Sequence, residues 1–284
     1  MHSNMGGNLD NLGLRRGAEG LLRDLIHDRA GLYFDDARLD TLTEKLAPLV
    51  IERGFNSFLD YYYLLKFDAD AADEWRNLTN ALSVQETYFW REMDQIHALA
   101  EEIMPKLVAA NGMSPIQIWS AACATGEEPL TIAIRLNENG WFDRAKIEIY
   151  GSDVSSAALD RARRGRFRER AFRSLPQHLK EKYFEVDGKE WLVAKSIHEK
   201  IRWHQVNLLE KAEISNLARA SVIFCRNVFI YFSPDAIRKV VDSFADKMKT
   251  PAFLFAGAAE SLLKVTDDFE LEEIGGCFVY VKRR

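Results

Sequence analysis

Residues 116–129 read Ile-Gln-Ile-Trp-Ser-Ala-Ala-Cys-Ala-Thr-Gly-Glu-Glu-Pro and constrain the fold more than any other stretch. An apolar, strand-like run breaks into small residues and turns at Gly126. It then enters a helix-period pattern whose first residues are Glu127 and Glu128. A strand that ends in small residues and glycine just before a helix is where an open α/β sheet brings backbone close to a nucleotide-like ligand. Two carboxylates at that helix start repel a phosphate and attract a cation. The ligand expected there is a cationic nucleoside such as S-adenosylmethionine, not a dinucleotide.

Beyond residue 116, strand and helix patterns alternate. Strands are expected at 117–120, 147–152, 202–205, 222–225 and 253–256, with 278–281 pairing with 269–273. Helices are expected at 130–137, 155–164 and 234–247. That alternation predicts an α/β fold, a parallel sheet covered on both faces. The last two strands, separated by Gly275 and Gly276, predict an antiparallel hairpin at the sheet edge. Residues 165–204 break the alternation and predict a small β-rich insertion.

Residues 21–82 carry a different pattern. Leu21, Leu22, Leu25 and Ile26 recur at helix spacing, as do Leu39, Leu42, Leu46, Leu49 and Val50. Gly31 and Gly54 punctuate them, and Phe58, Tyr61, Tyr62, Leu64 and Leu65 form a further apolar set. The expected organisation is a tail over 1–20, a bundle of about four short helices over 21–82, a linker and connecting helix over 83–110, and a ligand-binding domain over 111–284. The linker contains Gln-Glu-Thr-Tyr-Phe-Trp-Arg at 85–91. Its aromatics have two readings: they pin the two domains together, or Thr87 and Arg91 face a site between them.

Composition excludes several classes. The net charge of -5 argues against a nucleic-acid partner, which favours a basic surface. No apolar run is long enough to span a membrane, so no membrane insertion is expected. Three widely spaced cysteines give no metal-ligand pattern, and their odd number suits a reducing cytoplasm.

The chemistry-bearing residues fall at strand ends. Asp153 ends the second strand, where an acidic residue accepts hydrogen bonds from ribose hydroxyls. The alternative is that it caps the next helix, near Ser155 and Ser156. Asn207 follows the strand at 202–205. Either its amide reads an adenine edge while Leu208 packs against the ring, or it closes an Asx-turn. Asn227 and Val228 follow the strand at 222–225, beside the reacting centre of a nucleotide-dependent transferase. No proline follows Asn227, unlike the Asn-Pro-Pro-Tyr segment with which DNA adenine methyltransferases hold an amino group.

Together these segments resemble the bacterial chemotaxis receptor methyltransferases, the protein-glutamate O-methyltransferases. The resemblance runs through Gly31-Leu-Tyr-Phe, Phe58-Leu-Asp-Tyr, Glu86-Thr-Tyr-Phe-Trp-Arg91, Trp119 to Pro129 and Ser152-Asp-Val. It continues through Ala162-Arg-Arg-Gly165, Val206-Asn-Leu-Leu209, Phe224-Cys-Arg-Asn-Val228, Ile230-Tyr-Phe232 and Phe255-Ala-Gly257. It implies a Rossmann-like S-adenosylmethionine-dependent methyltransferase sheet with an N-terminal helical domain and a small β insertion. It also implies cofactor contacts at Gln85, Thr87, Arg91, Glu127, Asp153, Asn207, Leu208, Asn227 and Val228, with no metal. Gln85 stands where the family often has asparagine, Trp90 replaces phenylalanine, and Ala258 and Ala259 replace histidine and serine. The family's second N-terminal helix is arginine-rich and faces an acidic receptor; here residues 41–53 offer only Lys45 and Arg53.

The implied activity is methyl transfer from S-adenosylmethionine to receptor glutamates by a cytoplasmic monomer. A glutamate, with a reference pKa of about 4.3, is already anionic at neutral pH and needs no general base. Catalysis then rests on alignment and on excluding water. The catalytic assignment falls on Arg91, which can orient the incoming carboxylate; the alternative is an interdomain salt bridge. Seven arginines crowd residues 161–173. They either meet acidic receptor helices or form the solvated end of a helix. A different methyl acceptor, or a non-catalytic S-adenosylmethionine-binding signalling module, remains open at this point.

Overall fold

Helices build the first unit, Met1–Val84 joined by Tyr231–Ser233. The computed structural model describes residues 17–69, 71–112 and 114–283. Most of the tail expected over 1–20 thus lies outside the described residues, and from Glu19 the chain is already helical. The unit contains α1 (Glu19–Ala30), α2 (Leu39–Glu52), α3 (Phe58–Phe67) and α4 (Ala71–Leu82). Gly31 ends α1 in the left-handed region, its N–H bonded to His27 O at 2.9 Å. Ser57 caps α3 by accepting from Asp60 N.

Most of the apolar positions read from the sequence converge, whereas Leu21 faces outward and is exposed. Leu22, Ile26, Leu42, Leu46, Val50, Phe58, Tyr61 and Leu65 are buried together with Trp75, Leu78 and Leu82. Within that core, the buried Glu74 accepts from Arg53 Nε and from Tyr61 OH, each at 2.5 Å. Burial and the Glu74 bond push the Tyr61 phenol up. Residues 231–233 close the unit: Tyr33 N donates to Tyr231 O at 2.8 Å, and His27 Nε2 lies 2.8 Å from Ser233 Oγ.

The second unit, Gln85–Ile230 with Pro234–Arg284, is built on a sheet. A helical run, α5, opens it through Met93–Ala98, Leu99–Ile103 and Met104–Asn111. The chain then gives β1 (Ile116–Ala121), α6 (Glu127–Glu138), β2 (Ile147–Asp153), α7 (Ser156–Arg164), β3 (Arg166–Phe167), α8 (Gln177–Tyr183), β4 (Phe184–Asp187) and β5 (Glu190–Val193). It ends in β6 (Ile201–Gln205), β7 (Val222–Cys225), α9 (Pro234–Lys247), β8 (Ala252–Ala256), β9 (Glu270–Ile274) and β10 (Cys277–Lys282).

The main sheet has the order β6-β2-β1-β7-β8-β10-β9. The pairings from β6 to β8 are parallel, and β10 is antiparallel to both β8 and β9. Every strand expected of this sheet is present, and the glycine pair closes the terminal hairpin. β7 and β8 are buried along their full length, as helix-covered parallel strands must be. The insertion forms a separate antiparallel sheet, β3-β5-β4. Because β6 pairs with β2, that small sheet ends at Val193, short of the boundary at residue 204.

Phe89 decides where the linker belongs. It is fully buried, with its ring 4.8 to 5.2 Å from those of Phe167, Phe172 and Phe184. Its N–H donates to Ala171 O at 2.9 Å. The linker aromatic therefore anchors residues 85–91 to the insertion of the second unit. Phe89 thus belongs to the core of the second unit.

Candidate functional site

The strand order reverses at β1, whose successor β2 lies on one side and β7 on the other. In open α/β sheets ligands bind beyond the carboxyl ends of strands at such a switch point. The β1 tip enters a tight loop in which Ala122, Ala124 and Gly126 all have positive φ, at 55°, 49° and 94°. Alanine tolerates that region only at a cost, so the loop is held by its surroundings. Cys123 N donates to Ser152 O at 2.7 Å, and Ala124 N to Asp153 Oδ2 at 2.9 Å. Gly126 is required on two counts: its φ, and a Cβ there would lie 2.7 Å from the Trp203 ring of β6.

Asp153 ends β2 and is buried. Its Oδ1 accepts from Ser155 N at 2.8 Å, while Ser155 itself caps α7 by accepting from Ala158 N at 3.1 Å. The cap is therefore the serine, and the aspartate ties the β2 tip to the loop after β1. Burial raises the Asp153 carboxyl above its ordinary value, against the backbone bonds that lower it.

The two acidic residues at the start of α6 divide their roles. Glu128 is matched internally: Ser120 Oγ donates to its Oε1 at 2.6 Å and Arg226 Nε to its Oε2 at 2.7 Å. Glu127 is 4% exposed, and its carboxyl receives a bond from the Thr125 hydroxyl at 2.6 Å. Burial, opposed by that bond, pushes its pKa up to about 7. A buried carboxylate without a cation is costly, and a bound cation relieves that cost. The site thus fits a ligand carrying a positive charge.

Arg226 escaped the sequence reading. Its only signal was a single cation inside the apolar run Phe-Cys-Arg-Asn-Val. Besides Glu128, its guanidinium donates to Gln95 Oε1 at 3.1 Å, Glu92 O at 3.2 Å and Arg91 O at 3.2 Å. It thereby fixes the turn that carries Arg91, in which Trp90 and Glu92 have φ of 70° and 50°. The Arg91 side chain turns back on its own segment. Its Nη1 donates to Glu86 O at 3.3 Å, and its Nε lies 3.7 Å from Glu92 Oε1.

A cavity of about 380 Å³ gathers Gln85, Thr87 and Glu127 with Thr125, Glu86 and six arginines. That volume lies within the usual range of small-ligand pockets. Arg91, Asp153, Asn207, Leu208, Asn227 and Val228 are not part of its lining. The Gln85 amide is engaged at both ends, donating to Ser155 Oγ at 3.4 Å and accepting from Arg161 at 3.1 Å. Asn207 closes an Asx-turn, its Oδ1 accepting from Leu209 N at 3.1 Å, and Leu208 beside it is buried. Asn227 has φ 60°; its N–H donates to Glu260 Oε2 at 2.8 Å, which also accepts from Gly257 N at 2.7 Å.

Thiol chemistry is unsuited to this site. Burial pushes Cys123 and Cys225 well up and Cys277 up to about 11, so all three are protonated near neutral pH.

A mixed sheet with β10 antiparallel between β8 and β9, and carboxylates beyond β1 and at the end of β2, defines a Rossmann-like methyltransferase that binds S-adenosylmethionine. The profile described as "CheR methyltransferase, SAM binding domain" matches residues 85–276, and "CheR methyltransferase, all-alpha domain" matches residues 20–83. The chain belongs to the CheR methyltransferase family. Chemotaxis protein methyltransferase 2 of Vibrio cholerae is 33% identical, over 92% of this chain and 91% of its own length. The chemotaxis protein methyltransferase of Salmonella typhimurium is 31% identical, over 87% and 84%. Chemotaxis protein methyltransferase 1 of Pseudomonas aeruginosa is 26% identical, over 92% and 96%.

Proposed function

We propose that this protein transfers a methyl group from S-adenosylmethionine to glutamate side chains of chemotaxis receptors, giving methyl esters. The observation that carries this reading is the buried Glu127 at the start of α6, inside a family match that spans most of the chain. Glu127 holds the cationic amino-acid half of the cofactor and Asp153 the ribose. Asn207 and Leu208 contact the adenine, while Asn227 and Val228 lie along the cofactor beyond β7. Gln85 and Thr87 close the cavity side. Arg91 orients the acceptor carboxylate, and Arg226 is its positioning residue.

The cofactor, when bound, supplies an electrophilic methyl on a sulfonium. The acceptor glutamate arrives ionised, so the protein needs no base. Its residues align the carboxylate and remove water from it, which favours a transition state in which opposite charges are being neutralised. The protein acts as a monomer in the cytoplasm, its three cysteines free thiols. No helix among the described residues is long and apolar enough to cross a membrane.

The test is transfer of labelled methyl groups to a purified receptor cytoplasmic domain. Base-labile label in the receptor is expected. A receptor left unlabelled by protein that binds S-adenosylhomocysteine would refute the assignment.

A further inference from the structure

The arginine-rich stretch does not simply fray into solvent. Seven arginines and one carboxylate, Glu169, occupy residues 161–173 of a chain whose net charge is -5. Six of the seven line the cavity that holds Glu127, and only Arg163 does not. Three of the six have carboxylate partners. Arg173 Nη2 lies 2.8 Å from Glu86, Arg168 Nε lies 3.7 Å from Glu190, and Arg166 pairs with Asp187.

The other three have none. Among the described residues the Arg161 side chain donates only to the neutral amide of Gln85, at 3.1 Å. The Arg164 and Arg170 side chains have no hydrogen-bond or ion-pair partner among the described residues. Arg170 nevertheless reaches the site electrostatically, since its charge lowers the Glu127 and Glu86 carboxyls. Like charges around one concavity repel one another and focus the field there, an arrangement that an anionic ligand relieves.

Two features select the kind of anion. Glu86, Glu127 and Glu190 share the cavity and repel a dense multiple charge such as a polyphosphate. The one aromatic ring in the lining, Phe167, is buried and offers no face on which a base can stack. Separate guanidinium groups suit separate carboxylates, each able to accept a forked pair of bonds. Acidic groups flanking a carboxylate that is presented to the cofactor would meet these arginines.

We infer that Arg161, Arg164 and Arg170 form an acceptor subsite that holds carboxylates flanking the methylated glutamate in an acidic segment of the receptor. This rests on the function proposed above. The subsite acts on acceptor binding and leaves cofactor binding to Glu127 and Asp153.

The test uses the full chain as wild type, R164E/R170E and R164K/R170K, with labelled methyl transfer to a purified receptor cytoplasmic domain. Both positions are exposed, so folding is retained. For R164E/R170E the expected result is a KM for the receptor raised at least about tenfold with kcat little changed, and a flatter dependence of kcat/KM on salt. The lysine pair keeps the charge and loses the forked bonds, so its KM is expected to rise by about threefold, between wild type and R164E/R170E. The thermal shift with S-adenosylhomocysteine, read at pH 8 where Glu127 is ionised, is retained in both. An unchanged KM in R164E/R170E overturns the subsite, and so does a lost thermal shift, which would assign these arginines to the cofactor. A wild-type protein that transfers no methyl overturns the function reading itself.

Discussion

Two buried glutamates, one in each unit, separate a carboxylate that holds a fold from one that awaits a ligand. Glu74 is 1% exposed and Glu127 4%. Glu74 is matched within the helical unit by the Arg53 guanidinium and the Tyr61 hydroxyl. Glu127 has the Thr125 hydroxyl instead of a cation, and burial lifts its carboxyl to about 7. Equal burial therefore carries opposite meanings. A buried acid with an internal cation is part of the architecture, whereas one without a cation is a binding element. Glu128, beside Glu127 in sequence, sides with Glu74 because Arg226 reaches it.

The sharpest way to break this contrast is to remove each acid in turn. Glu74→Ala removes the acceptor shared by the Arg53 guanidinium and the buried Tyr61 hydroxyl and is expected to destabilise the helical unit by about 3 kcal/mol, read by urea unfolding. Glu127→Gln is expected to leave unfolding at pH 8 unchanged or slightly improved. It weakens S-adenosylhomocysteine by about a hundredfold, removing most of a ligand stabilisation that reaches about 2.7 kcal/mol at a hundredfold excess over Kd. If Glu127→Gln unfolds the protein while Glu74→Ala does not, the contrast is inverted. Asp153→Ala is expected to abolish the same thermal shift in a folded protein, and a retained shift removes the ribose role.

Gly126→Ala tests the loop that presents Glu127. The φ of 94° and the approach of Trp203 predict a loss of about 1–3 kcal/mol, together with weaker ligand binding. Calorimetry and ligand titration on one sample read both effects.

A subtler distinction is pH. The folded Glu127 carboxyl titrates near 7, against an ordinary value of 4.5. Between those values the folded state holds a proton that the unfolded state has released. The contribution of this group to stability therefore falls as pH rises from 4.5 toward 7 and levels off above it. Because the cation-binding form is ionised, ligand affinity in wild type should rise by up to about tenfold per pH unit below 7. Glu127→Gln should show neither trend. A Glu127→Gln affinity that follows pH as wild type does would place the titrating group elsewhere. The smallest effect belongs to Arg163→Ala, outside the cavity and paired with Asp160 at 3.1 Å. It should change stability by less than about 0.5 kcal/mol and leave KM alone, in contrast to R164E/R170E.

Much of this architecture was legible because it depends on local pattern. Continuous apolar runs marked the central strands, and the break at Gly126 marked the turn beneath the site. The acidic end of β2 was visible for the same reason. The partners of those acids were not. Nothing near Glu128 in sequence announces Arg226, and nothing near Arg53 announces that Glu74 engages it. Phe89 resembled an interdomain anchor until the ring cluster of Phe167, Phe172 and Phe184 placed it. The arginines at 161–173 resembled the solvated end of a helix until β3 and the segment after it curved six of them around one cavity.

The sequence alone settled where strands and helices run and which residues end them, because hydrophobic period and glycine act over a few neighbours. Tertiary structure alone decided which buried carboxylate is matched and which arginines lack acids. Those outcomes depend on desolvation and on charges brought together from distant parts of the chain, and neither is written in any local run of residues.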